Sequence, residues 1–123
     1  MNNIEIKSTV SFLKNKSNPS TPLFLFSYNI EIINNSKNSV QLLNRHWEIT
    51  DGNGVMNVVN GKGVVGLQPI IKQNEKFSYS SFCPIPTEFG IMNGWYEMKT
   101  SSGMSFKANI PTINLFTPTS KKN

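Results

Sequence analysis

Leu23-Phe-Leu-Phe-Ser-Tyr-Asn-Ile-Glu-Ile-Ile33 alternates large apolar side chains with smaller or polar ones. Successive side chains of an extended strand point to opposite faces, so Phe24, Phe26, Tyr28, Ile30 and Ile32 share one side and Ser27, Asn29 and Glu31 the other. Five bulky groups on one face describe a strand laid against a core. The same period runs through Val40 to Thr50, aligning Leu43, Trp47 and Ile49 against Asn44, His46, Glu48 and Thr50. The polar stretch Asn34 to Ser39 between the two runs predicts a hairpin or a sheet-to-sheet connection.

Working outward, Asp51-Gly-Asn-Gly54 supplies residues that tolerate a left-handed backbone before a strand from Val55 to Val59. Phe77 to Cys83 sets Phe77, Tyr79, Ser81 and Cys83 against Ser78, Ser80 and Phe82. Trp95 to Thr100 and Met104 to Ile110 flank a turn at Ser101-Ser-Gly103. Ile4 to Leu13 forms a first strand, stopped by Pro19 and Pro22 in the following loop. Helical periodicity never lasts three turns. Seven to eight short strands with turns between them predict an all-β fold, an antiparallel β-sandwich of immunoglobulin or fibronectin type III shape, with a small barrel as runner-up. The 123 residues suit a single domain, with its core at about residues 4–115 and a short polar C-terminal tail.

Eleven lysines and one arginine, Arg45, against seven aspartates and glutamates give the chain a net charge of +5. The lysines are scattered, with Lys121-Lys122 the only adjacent pair. Nucleic-acid binders cluster their cations, so binding to nucleic acid is not expected. No run approaches the roughly 18 apolar residues of a membrane span. Charges near Met1 replace the apolar region of a signal peptide, and Cys83 is the lone cysteine. A cytoplasmic protein is expected, with no membrane partner.

Gly61-Lys62-Gly63-Val-Val-Gly66 fits a GxGxxG pattern, which in dinucleotide folds opens a helix that holds pyrophosphate. Here it runs into Leu67-Gln68-Pro69 with no βαβ unit around it. The glycines are read as close backbone approach or a bulge, with an anion loop of Gly61, Lys62, Gly63 and Gly66 as the alternative. Arg45-His46-Trp47 places Trp47 in the core, with Arg45 expected to snorkel at the sandwich edge or to pair with a carboxylate. His46 faces out beside Glu48, and one histidine with one carboxylate is too few for a closed transition-metal site. Asp51-Gly-Asn53 begins like an EF-hand loop, but Val55, Met56 and Lys62 stand where a ligand, a glycine and a glutamate belong. Cys83 reads as a buried, inert thiol. No catalytic motif is found, so an enzyme is not expected, nor any cofactor or metal.

Four motifs resemble the ApaG domain family: Val40 to Asp51 with its Arg-His-Trp, Gly61 to Pro69, Tyr79-Ser-Ser81, and Gly90-Ile-Met-Asn-Gly-Trp-Tyr-Glu-Met98, with Ile110-Pro111 at the end. The likeness spans about Ile4 to Leu115. Gln73-Asn74 stands where the family often has Pro-Gly, Phe82 replaces a usual glycine, and Trp95 occupies a position usually small. The resemblance implies a fibronectin type III-like sandwich without established enzymatic activity, associated in bacteria with cobalt resistance and magnesium efflux. In eukaryotes the domain is an appendage that looks like an interaction module. A protein-binding domain with an unidentified protein partner is therefore expected, its oligomeric state open. Its contact surface is placed on two exposed loops, Gly61, Gly63, Gly66, Gln68 and Pro69 in one and Gly90, Met92 and Gly94 in the other. The alternatives are an anion or nucleotide sensor at the glycine loop and a weak divalent-metal binder.

Overall fold

The computed structural model describes residues 3–118; Met1 and the Lys121-Lys122 end of the tail lie outside them. Eight strands follow one another: β1 (Ile4–Phe12), β2 (Phe24–Asn34), β3 (Val40–Asp51), β4 (Met56–Lys62), β5 (Ile70–Ile71), β6 (Lys76–Ile85), β7 (Phe89–Thr100) and β8 (Ser105–Phe116). A single 3-10 turn, Lys14–Lys16, follows β1. The strands form two antiparallel sheets, β1-β2-β6 and β4-β3-β7-β8, with β5 added to β3. This is the expected β-sandwich, with the strand order of a fibronectin type III domain, and no barrel closes.

β2 behaves as its alternation requires. Phe24, Phe26, Tyr28, Ile30 and Ile32 are buried and the residues between them are half-buried. The pattern continues to Asn34, which is fully buried. Its amide donates to the carbonyls of Asn38 (2.8 Å) and Ile71 (2.9 Å), and its Oδ1 accepts from the Ser36 backbone N–H (2.9 Å). A buried amide is tolerated because its donors and acceptor are all engaged. The Asn34 to Ser39 stretch thereby becomes the sheet-to-sheet connection.

β3 departs from simple alternation. A register shift between Leu42 and Asn44 makes Leu43 a bulge residue against β7. Val40 and Leu42 face inward before it, and Trp47 after it. Leu42, not Leu43, is therefore the fully buried leucine, a correction to the period-two reading: an inserted residue reverses the parity of what precedes it.

β7 is also longer than expected. Gly90, Met92 and Gly94 do not form an exposed loop but lie in the first half of this strand, between β3 and β8. All three are buried, Met92 to 1% exposure. Two glycines around an asparagine read as a turn, but here the neighbours on both sides pair the backbone, and a register shift between Met92 and Gly94 absorbs the irregularity. A Cβ on Gly94 would strike the His46 carbonyl, so the missing side chain lets β3 lie close. Asn74 has φ of 65°, a left-handed conformation that asparagine tolerates.

Leu42→Ala should cost about 2–5 kcal/mol, as emptied leucine sites in packed cores do. Leu43→Ala, at the half-buried bulge, should cost about 1 kcal/mol. Urea midpoints that fall equally for both variants would contradict the bulge.

Candidate functional site

Arg45, His46 and Trp47 are consecutive on β3, and alternation turns Arg45 and Trp47 inward and His46 outward. Trp47 enters the core, its ring edge-on to Tyr28 (centroids 5.6 Å apart) and Tyr96 (6.5 Å). Its Nε1 is the one buried side-chain polar atom among the described residues with no hydrogen-bond partner. Beside it the Tyr79 and Tyr96 hydroxyls share a 2.5 Å hydrogen bond. Burial pushes both phenols, and that of Tyr28, upward, while Arg45 pulls slightly the other way.

Arg45 crosses under β4. Its Nη1 donates to the carbonyls of Lys62 (3.3 Å) and Gly63 (2.9 Å), and its guanidinium occupies the space that a Cβ on Gly61 would fill. Gly61 is thus a seat for the arginine, as its half-buried backbone requires. Gly63 has φ of 65°, and a Cβ there would run into the Leu67 carbonyl oxygen. The Gly63 N–H donates to Leu43 O (2.8 Å), Val64 N–H to Leu67 O (2.8 Å) and Leu67 N–H to Val64 O (2.9 Å). Gln68 donates from Nε2 to Leu43 O at 2.9 Å, and the Pro69 carbonyl accepts from Leu42 N–H at 3.0 Å. These bonds fasten the glycine loop to β3 and leave Val65, Gly66, Leu67 and the Lys62 side chain outside. Val65, β-branched, sits at φ of 44° in the exposed turn, a strained placement.

His46 points to the outer face of the larger sheet. Nδ1 lies 2.6 Å from Asn60 Oδ1 and Nε2 3.0 Å from Glu48 Oε2. The imidazole stacks on Trp95 at 3.9 Å and 18°, and Lys107 Nζ lies 4.3 Å from the centre of the same indole. Asn44 donates to Glu97 Oε1 at 2.5 Å in the next row. Asn44, His46, Asn60, Trp95, Glu97 and Lys107 line an open groove of about 690 Å³. The bond from Glu48, then that from Asn60, holds the His46 pKa above its ordinary value. No sequence motif pointed to this patch, whose members meet only through the register of four strands.

Cys83 is buried, and desolvation raises its thiol to about 11, which suits an inert group. The Asp51 carboxylate accepts from the N–H groups of Asn53 (2.8 Å) and Val55 (3.1 Å), so it shapes the β3–β4 turn. Among the described residues no three His, Cys, Asp or Glu side chains gather. None of their helices is long and apolar enough to cross a membrane.

A fibronectin type III-like sandwich with an arginine-pinned glycine loop defines a class of small β-sandwich domains. A sequence model of the ApaG domain matches residues 14–100, and the chain belongs to that family. Protein ApaG of Methylobacterium sp. (strain 4-46) is 45% identical over 115 residues, covering 94% of this chain and 88% of the relative. The crystal structure of an ApaA protein from Bordetella pertussis superposes with a TM-score of 0.92 at 35% identity, covering 95% of both chains. A structural-genomics target solved by X-ray gives 0.89 at 41% identity, covering 94% of this chain and 87% of its own.

Gly63→Ala should lower stability by more than Gly66→Ala. Both glycines have positive φ, worth about 1–2 kcal/mol for an added side chain, but only Gly63 also meets backbone. Equal losses in thermal unfolding would show that the Leu67 carbonyl yields freely.

His46 should titrate above 6.5 by NMR, and Glu48→Gln should bring the midpoint down. A raised folded-state pKa contributes stability that is complete below 6.5 and is lost as pH rises through the folded value. The His46–Glu48 pair lies at the surface of the sheet with the carboxylate partly exposed, so solvent screening keeps the contribution small. A midpoint at or below 6.5 would contradict the paired arrangement.

Proposed function

We propose that this chain is a non-catalytic protein-binding domain whose contact surface is the β4 edge together with the Gly61 to Pro69 loop. β4, the loop and β5 run successively along the same side of β3. The observation that carries the reading is where apolar groups are exposed. Thirteen large hydrophobic residues stand exposed among the described residues, and seven of them (Val55, Met56, Val58, Val59, Val65, Leu67 and Ile70) fall within residues 55–70. An apolar patch along the open side of an edge strand is what natural sheets ordinarily suppress with charge or proline. β1 carries Glu5 and Lys7, β6 carries Lys76 and Pro84, and β8 carries Lys107 and Pro111. β4 carries neither before its last residue, Lys62.

The alternative of an anion or pyrophosphate sensor needs loop amides that converge outward, and those of Gly63, Val64 and Leu67 already donate to carbonyls. An association with cobalt resistance and magnesium efflux would run through the bound partner, since the residues gathered here offer no closed ligand set.

A photo-reactive amino acid placed at Val59 or Leu67 in cells should give adducts heavier than the 13.8 kDa chain. The same group at Ser78, exposed on the opposite sheet, should give few. Equal yields at all three positions, or none at the edge, would overturn the assignment.

A further inference from the structure

We infer that the β4 edge is filled by a second copy of this chain, paired strand to strand about a two-fold axis at Val58. The inference rests on the edge reading above and narrows it to one partner.

The β3–β4 ladder shows which polar groups are free. Val55 O accepts from Asp51 N–H at 3.0 Å and Gly63 N–H donates to Leu43 O at 2.8 Å. Both pairs continue the register that sets Thr50 opposite Met56 and Asn44 opposite Lys62. In an antiparallel ladder alternate residues direct both backbone groups to the same neighbour. The odd-numbered residues of β4 therefore bond β3, and Met56, Val58 and Asn60 turn their N–H and C=O groups to the open edge, while the Lys62 carbonyl accepts from Arg45.

A strand that fits this edge must be extended, free of proline and uncharged where the two strands pair. β4 meets those terms from Met56 to Gly61, with its one charge at the last residue, Lys62. Centred on Val58, the two copies exchange N–H···O bonds between the Val58 residues and between Met56 and Asn60 of the opposite copy. On the outer face Val58 meets its mate, and on the inner face Asn57 lies opposite Val59. Lys62 falls opposite Gly54, which has no side chain. The two Lys62 residues then stand eight positions apart along the ladder, ~26 Å at strand spacing, well beyond a Debye length of ~8 Å. Charge thus does not oppose the pairing, despite a net +5 on each copy.

Both faces of β4 are exposed, because the strand overhangs the smaller sheet, whose edge on this side is β6. β4 is also held straight by β3 before any partner arrives, so pairing requires none of the ordering that a flexible peptide would. The product is one continuous sheet of ten strands, two five-stranded sheets joined at β4.

Sedimentation equilibrium of the purified chain, from micromolar to millimolar, should show a reversible dimer. Val58→Lys sets two ammonium groups against each other across the axis and should weaken association ~tenfold or more. Val65→Lys, on the same edge but outside the paired strand, should leave the dimer intact. In the unmodified protein, hydrogen exchange at the Met56, Val58 and Asn60 amides should slow as concentration rises, while Val59, already bonded to β3, should not change. A monomer at about 1 mM, or exchange at Val58 independent of concentration, would overturn the inference. If the purified chain stays monomeric while edge positions form adducts with another protein in cells, the second copy is excluded and the edge reading stands. If neither occurs, both fall.

Discussion

The extra residue at Leu43 sets the direction of the side chains on either side of it in β3. With an unbroken two-residue period, inward Val40 and Leu42 would be followed by inward Asn44, His46 and Glu48. The bulge instead hands the inward positions to Arg45 and Trp47. Trp47 then joins Tyr28 and Tyr96 in the core, Arg45 reaches the carbonyls of Lys62 and Gly63, and His46 is released to the outer face beside Trp95. The Leu43 carbonyl accepts from both Gly63 N–H and Gln68 Nε2. The core, the glycine loop and the outer groove all follow from one insertion.

The interior balances this geometry with polar groups that are nearly all paired. Asn34 joins β2, the connection after it and β5 through its amide and carbonyl. The Tyr79–Tyr96 hydrogen bond links the two sheets, since β6 belongs to one and β7 to the other. Each buried hydroxyl would be costly alone, and the pairing makes the location specific as well as tolerable. Specificity is concentrated where the sheets touch, while β4, beyond the cover of the smaller sheet, has no such constraint.

Residues whose fate depends on local alternation were legible from sequence. Phe24 to Ile32 needed only the period, and Trp47 and Cys83 followed from their strands. Leu42 and Leu43 were exchanged because a bulge leaves no mark in a count of two. Gly90 to Gly94 looked like a loop because glycine signals both a turn and a close contact, and only the strands on either side decide between them. Asn34 looked like a turn residue, and its burial depends on acceptors far along the chain. The outer groove could not be read because His46, Trp95 and Lys107 lie on three strands whose mutual register no single stretch contains. The family resemblance carried the fold independently.

The two indoles occupy opposite electronic environments. Trp47 lies in the apolar interior with its N–H unbonded, conditions under which an excited indole emits at short wavelength. Trp95 is half-exposed and stacked at 3.9 Å on an imidazole whose protonation Glu48 favours, and an imidazolium in van der Waals contact quenches indole emission. The molecule therefore carries two intrinsic optical reporters of separate events. Acidification dims the red component from the outer face while the blue component persists until the sheets part.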